Sequence, residues 1–241
     1  MSPQSNPEVA ERITLTRLIT ETDPVHCLTT VRHAFNRGYR VFKLKLEPGD
    51  AFLQTLTNLQ SIRDKFGTEV ALRLDPNGSF SADNLENSLA ALAPFAPELV
   101  EEPAYWKEVS TLPLSPVPLA VDESLLDPIA LPTLLERRIP LRLEAVVIKP
   151  ALVGLLRALE LAEYARLHHL DVIITHLFDG PVGHATALSF AQAMGSPHRA
   201  HGLAPHAGLL MVPTRRIKGL GHGEAWHESE PGLPLLEVKS C

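Results

Sequence analysis

At 241 residues with 45% hydrophobic side chains, the chain can bury a full core and matches the roughly 250 residues of a typical eight-unit α/β barrel, so one domain is the natural reading. A formal charge of -6, a pI near 6.0 and 22 dispersed Lys and Arg residues leave no basic footprint, which excludes nucleic acid as a partner. Only Cys27 and Cys241 are present, so there is no disulfide framework; no run approaches the ~18 apolar residues of a membrane span, and a soluble, cytoplasmic protein is expected.

Residues 1–11 are polar, carry Pro3 and Pro7, and read as a leader; RITLTRLIT then reads as a first strand. From Pro24, Val25, Leu28, Val31 and Phe35 recur at helical spacing up to Gly38, and YRVFKLKL is the second strand. Asp50 is positioned to cap a helix carrying Phe52, Leu56, Leu59, Ile62 and Phe66, closed by Gly67 in a left-handed turn. VALRLD follows as a strand, then a helix capped by Ser81 with Leu85, Leu89 and Leu92, stopped by Pro94, then the short strand ELVE. The stretch before the strand PVPLAVDES is proline-rich and poorly periodic, so the fourth helix has the least support. DPIALPTLLERR reads as a short helix, EAVVIKP as a strand, and VGLLRALELAEYARLHH as a long helix with Leu155, Leu159 and Ala162 on one face. DVIITH is the next strand, GHATALSFAQAMG a helix and HRAHGL a short last strand, after which residues 206–241 form a Pro- and Gly-rich tail expected to pack on the barrel.

A strand and helix pair repeated seven to eight times, with strands of near-continuous Val, Ile and Leu, requires a buried parallel sheet. A TIM-type (β/α) barrel over residues 12–205 is favoured over an open doubly wound sheet, which usually places its site at one switch point, often with a glycine-rich turn that this chain lacks.

The polar groups at the strand ends carry the chemistry. Lys43 and Lys45 lie in VFKLKL, Asp75 in LRLDPNG, Glu101 in LVEEP, Asp122 in LAVDES and Lys149 in VVIKP, spaced 30, 26, 21 and 27 residues apart from Lys45 onward. Each spacing is close to one strand, helix and return, so these groups converge on one rim. Lys43 and Lys45 share a strand face and point inward while Phe42 and Leu44 face the helices. Repulsion and desolvation favour a neutral amine there, suited to accept a proton; the competing reading is an exposed edge strand with solvated lysines. Three all-oxygen ligands from separate strands, Asp75, Glu101 and Asp122, suit Mg²⁺, with Mn²⁺ as a substitute, better than zinc, although any one of these acids alone is also an ordinary helix cap or turn residue. Asn77 lies within reach of metal or water, while Glu102 and Glu123 orient the ligands or pair with a lysine. Lys149 is placed to stabilise an oxyanion, or simply to snorkel at its strand end.

The histidines near the C-terminus, His198, His201, His206, His222 and His227, follow no zinc-site spacing. His176, ending the seventh strand, reads either as a substrate contact or as a cap of the loop before the next helix. Asp179 and Gly180 shape that loop, and the helix N-terminus near Gly183 is suited to receive a carboxylate.

Taken together, KLK, LDPNG, EEP, VDES and VIKPALVG resemble the enolase superfamily over about residues 12–205, and within it the muconate-lactonizing branch, most closely enzymes of the o-succinylbenzoate synthase type. The resemblance implies a magnesium enzyme with Asp75, Glu101 and Asp122 as ligands. It implies that Lys45 takes the proton α to the carboxylate of a small anionic substrate, that Lys149 helps hold the enediolate, and that Lys43 keeps Lys45 deprotonated. The implied reaction is a lyase step of menaquinone biosynthesis, the dehydration of 2-succinyl-6-hydroxy-2,4-cyclohexadiene-1-carboxylate to o-succinylbenzoate. Dipeptide epimerases usually carry an Asp-x-Asp pair at the eighth strand, where this chain reads HGLAPH; muconate cycloisomerases and N-acylamino acid racemases share every residue named so far. A racemase dyad of His and Asp is absent, because Lys149 stands where the Asp belongs. A barrel that binds metal and anion without turnover is the rival from another class. Family members normally begin with a capping domain over the barrel mouth, and this chain starts close to the first barrel strand. Either the chain is a truncated form, or a partner such as a separate capping segment, or the tail after Pro205, substitutes for the lid; a homo-oligomer is the other partner considered.

Overall fold

The structure, a computed structural model, describes residues 12–206, 209 and 235–237. The expected leader, most of the tail, His222, His227 and Cys241 lie outside the described residues. Nine strands are described: β1 (Arg12–Thr14), β2 (Thr16–Ile19), β3 (Val41–Lys45), β4 (Ala71–Asp75), β5 (Leu99–Glu101), β6 (Leu119–Val121), β7 (Leu143–Ile148), β8 (Asp171–Ile174) and β9 (Leu235–Glu237). Strands β2 to β8 form one parallel sheet in sequence order, and β1 pairs antiparallel with β9. The sheet closes through an eighth segment: His201 bridges Leu15 and Gly202 bridges Thr175, both parallel. A Cβ at Gly202 would lie 2.6 Å from the Thr175 hydroxyl, so glycine is what lets this segment close against β8. The expected barrel is therefore present.

The helices are α1 (Pro24–Asn36), α2 (Asp50–Phe66), α3 (Ala82–Leu92), α4 (Trp106–Thr111), α5 (Ala130–Glu136), α6 (Pro150–Val153), α7 (Leu155–Leu167) and α8 (Pro181–Met194). They return the chain between strands and bury one face each against the outside of the sheet, as with Leu59, Ile62 and Phe66 on α2 and Leu85, Leu89 and Leu92 on α3. The weakly supported fourth helix is a six-residue piece. Three details differ from expectation. Asp50 is not the cap of α2; Gly49 holds that position at φ 79° and Asp50 lies inside the first turn, where its charge still favours the helix dipole. The long helix is present as α7, preceded across Gly154, φ 80°, by the short unexpected α6, and its buried face is Ala158, Leu161, Ala162 and Ala165 while Leu155 and Leu159 are exposed. Small alanines let this helix lie close to the sheet, so a leucine count misplaced its inner stripe. Finally, α8 begins at Pro181, two residues ahead of Gly183.

Parallel register partners share a face, so the pairings Leu18–Lys43, Lys43–Arg73, Arg73–Leu99 and Lys45–Asp75 place all of these inside the barrel. Glu101, Ala120 and Ala145 follow on the same face. Leu99, Ala120, Ala145, Val147 and Ile173 form an apolar plug across the interior. Below it, at the N-terminal strand ends, Arg73 donates to Glu98 at 2.8 and 3.1 Å and to Ala200 O at 2.6 Å, while Arg199 reaches Glu98, Asp171 and Glu144 at 2.8 to 3.1 Å. Above it, the C-terminal strand ends carry the lysines and acids.

Candidate active site

Strand β3 lies between β2 and β4, so the edge-strand reading of its lysines is excluded; Phe42 and Leu44 are buried against the helices and Lys43 and Lys45 face inward. Both ammonium groups meet one oxygen of Asp75, Lys43 Nζ at 2.7 Å and Lys45 Nζ at 2.6 Å. Lys43 also donates to Glu101 Oε1 at 2.5 Å, and Lys45 to Asn77 Oδ1 at 2.5 Å. Across the rim, Lys149 bonds Asp122 Oδ2 and, at 2.9 Å, Glu123 Oε1, which in turn accepts from Asn77 Nδ2 at 3.3 Å. The Glu101 and Asp122 carboxyl groups meet directly. Eight side chains thus close a circuit: Lys45, Asp75, Lys43, Glu101, Asp122, Lys149, Glu123 and Asn77.

The local sequence explains this convergence. Asp75, Glu101, Asp122 and Lys149 each end or follow an apolar strand by one residue, so their Cα atoms stand at one height. The turn after β4 bends at Asn77, φ 49°, and Gly78, φ 72°, with Asn77 N donating to Asp75 Oδ1 at 3.0 Å. Glu102 is held at φ 42°, a left-handed conformation that costs a non-glycine residue energy. That turn sends its side chain away from Glu101 toward the β6 loop, where it accepts from Asp122 N at 2.8 Å and from Ser124 Oγ.

The electrostatics are lopsided. Five carboxyl groups (Asp75, Glu101, Glu102, Asp122 and Glu123) stand among three lysines (Lys43, Lys45 and Lys149), an excess of two negative charges if all are ionised. Burial and the charge of Glu101 outweigh Lys149 and push the Asp122 carboxyl up to about 9. Burial also raises Glu102, against the bonds from Ser124 and Asp122 N. Asp75 goes the other way: burial opposes its charge, but Lys43 and Lys45 hold it below the ordinary carboxylate value. Burial likewise works against the Lys43 and Lys149 ammonium groups, yet their carboxylate neighbours hold both above the usual amine value. For Lys43, then, contact with Glu101 and Asp75 overrides the neutral amine that two adjacent lysines would favour.

Whether a hard divalent cation fits can be tested on this donor set. The donors are oxygen only, and Asp75, Glu101 and Asp122 are each less than one-twentieth exposed. Among the described residues no three acids, histidines or cysteines stand ready around one point, because the ammonium groups of Lys43 and Lys149 span the carboxylates instead. The chemistry fits; Lys43 and Lys149 provide the counter-charge in this arrangement.

The remaining residues lie beside this circuit. His176 accepts from Phe178 N at 3.0 Å, and its Nε2 faces Ala204 O at 3.1 Å, the pattern of a loop cap; burial lowers its pKa. Asp179 O faces His206 Nε2 at 2.9 Å, and Gly180 caps α8. His184 and His201 are buried and pushed down to about 4 by desolvation, and His201 accepts from Ile174 N at 3.0 Å, which accounts for it as a barrel-closing residue. Sequence reading missed Ser124, whose only signal was its place in VDES, and the floor arginines Arg73 and Arg199, whose partners are far apart in sequence.

The match to known proteins agrees with this arrangement. Residues 27–233 match the model of the enolase C-terminal domain-like family. The chain belongs to that family. Within this enolase C-terminal-like group, the chain is 29% identical over 217 residues to the o-succinylbenzoate synthase of Thermobifida fusca, covering 83% of this chain and 64% of the relative. It is 30% identical over 176 residues to the o-succinylbenzoate synthase of Desulfotalea psychrophila, covering 69% and 46%. The chain thus spans about half to two-thirds of the length of these curated relatives. The crystal structure of MenC from Desulfotalea psychrophila superposes with a TM-score of 0.69 at 25% identity, over 81% of this chain and 55% of the other. Among the described residues no helix is long and apolar enough to cross a membrane.

Proposed function

We propose that this enolase C-terminal-like chain carries the barrel of a Mg²⁺-dependent lyase that dehydrates 2-succinyl-6-hydroxy-2,4-cyclohexadiene-1-carboxylate to o-succinylbenzoate, in menaquinone biosynthesis. The observation that carries the reading is the rim itself: Lys45 and Lys149 sit on opposite sides of the buried acids Asp75, Glu101 and Asp122, on a rim that gathers five carboxyl groups against three lysines. The names of the curated relatives support the substrate.

In this proposal Asp75, Glu101 and Asp122 hold Mg²⁺, or Mn²⁺ in its place. When bound, the ion supplies positive charge beside the substrate carboxylate as a second negative charge develops there. Lys45, the most exposed of the three lysines, takes the proton α to that carboxylate. Lys149 faces the opposite side of the anion and stabilises it. Lys43 keeps its charge, held by Glu101 and Asp75, and its ammonium group shares one oxygen of Asp75 with Lys45, so in this proposal it sets the electrostatics beside the amine that takes the proton. The proton gained by Lys45 then goes to the departing β-hydroxyl, which leaves as water, and aromatisation draws the reaction forward. The chain is read as a cytoplasmic protein.

The test is direct. Purified protein is given the cyclohexadiene substrate with Mg²⁺ and then with EDTA, and ultraviolet absorbance follows formation of the aromatic product. Conversion that stops with chelation supports the lyase reading. No metal-dependent conversion leaves a barrel that binds metal and anion without turnover.

A further inference from the structure

Glu102 is a buried acid that neither touches a lysine of the circuit nor points into the mouth; its carboxylate joins two loops. One oxygen accepts from the backbone N–H of Asp122 at 2.8 Å, and the other from the Ser124 hydroxyl. Ser124 Oγ in turn accepts from Trp106 N, at the start of α4, at 3.2 Å. The β5 loop, the β6 loop and the first turn of α4 are therefore tied to one carboxyl group. Asp122 itself sits at φ -128° and ψ -90° at the start of a short 3-10 turn, its carbonyl accepting from Leu125 N at 2.9 Å, while its N–H donates to Glu102. Behind the pair lies a small, mostly apolar cavity lined by Trp106, Ala120, Val121 and Leu134 beside Glu102 and Ser124 themselves.

We infer that Glu102 is the positioning residue for the divalent-cation site: by accepting from Asp122 N and Ser124 Oγ it fixes the loop that aims the Asp122 carboxylate at Glu101 and Asp75. The inference rests on the cation reading above and names the part of the chain that sets the site's affinity. Glu102 acts through hydrogen-bond acceptance, not through its charge. Its left-handed backbone follows, because only that turn carries a side chain from the end of β5 across to the β6 loop while Glu101 stays on the inner face. Glutamine has the same reach and keeps the acceptor for Asp122 N, while its amide can donate to Ser124 Oγ. Alanine leaves Asp122 N buried without a partner.

Mn²⁺ binding, followed by the loss of the free-ion electron paramagnetic resonance signal, is the readout, with no substrate present. Glu102→Ala is expected to weaken Mn²⁺ binding by about 10-fold or more, and Glu102→Gln by no more than about threefold. Ser124→Ala, which keeps Glu102 but removes one of its two donors, is expected to fall between them. Unchanged affinity in Glu102→Ala overturns the inference while leaving the cation reading intact. Affinity as poor in Glu102→Gln as in Glu102→Ala overturns it too, since charge and not acceptance would then be at work. Should Glu102→Ala fail to fold, Ser124→Ala decides, and an affinity equal to the parent's counts against the role. A parent protein that binds no Mn²⁺ removes the cation reading and this inference together.

Discussion

The barrel is charged at both ends, and the two ends treat their charge differently. At the floor, two arginines meet Glu98, Asp171 and Glu144 in direct, mostly buried bonds. Burial disfavours the charged forms of Glu98 and Asp171, yet Arg73 and Arg199 hold Glu98, and Arg199 and His198 hold Asp171, below the ordinary carboxylate value. At the rim the same cost of burial is not repaid for Asp122 and Glu102, whose pKa values rise. A set of acids left short of positive charge is poor design for stability and good design for binding a cation. The floor is a fastener, and the rim, in the function proposed above, is a receptor.

The sharpest way to separate them is to break one without the other. Lys45→Ala is expected to lower kcat by about 10²- to 10⁴-fold, read in the absorbance assay, with thermal unfolding unchanged. Arg73→Ala is expected to cost about 1–3 kcal/mol in urea unfolding, because it leaves the Ala200 carbonyl without its donor and Glu98 with Arg199 alone, while Mn²⁺ affinity stays as in the parent. A floor variant that loses cation affinity, or a Lys45 variant that unfolds, would erase the distinction. Saturating Mg²⁺ is expected to stabilise the parent by about 2.7 kcal/mol at 100 times Kd, measured as a rise in Tm, and Asp122→Asn to abolish most of that gain.

Acid gives the smallest effect and belongs to the floor. Because Glu98 and Asp171 hold their protons less tightly in the folded state than in the unfolded chain, their contribution is fully present above the ordinary carboxylate values of 3.8 and 4.5. It is lost as pH falls through the lowered folded values. Urea midpoints measured from pH 6 downward should therefore drop below about pH 4, and drop less in Arg199→Ala, in which the charged partners left are Arg73 for Glu98 and His198 for Asp171. An equal drop in both proteins would show that these bonds do not set acid stability.

Much of this was readable from residues alone, for identifiable reasons. Strand ends announce themselves when an apolar run stops at a charge, as at Asp75, Glu101, Asp122 and Lys149, and the repeat spacing placed all four on one rim. The helix faces were readable where leucine or phenylalanine recurs, as on α2 and α3. They failed on α7, where alanines make the contact and leucines face out. Asp50 misled because a first-turn acid and a cap look alike in sequence, while the φ of 79° at Gly49 decides between them. Pairing was the least readable property. Nothing local tells Glu102 to bond Ser124 while Glu101 bonds Lys43, since a single left-handed residue separates the two outcomes. Arg73 and Lys43 share a rung of the sheet yet serve opposite ends, a choice made by partners 25 to 127 residues away.

The closing segment at His201 and Gly202 has one more effect. It joins β2 and β8 through backbone bonds from Thr16 N to His201 O, His201 N to Thr14 O and Gly202 N to Ile174 O, whereas the eight-membered circuit is drawn wholly from β3 to β7 and the loops that follow them. The seam that completes the wall thus lies away from the acids and amines of the circuit, and the bonds that hold those groups to one another do not run through it.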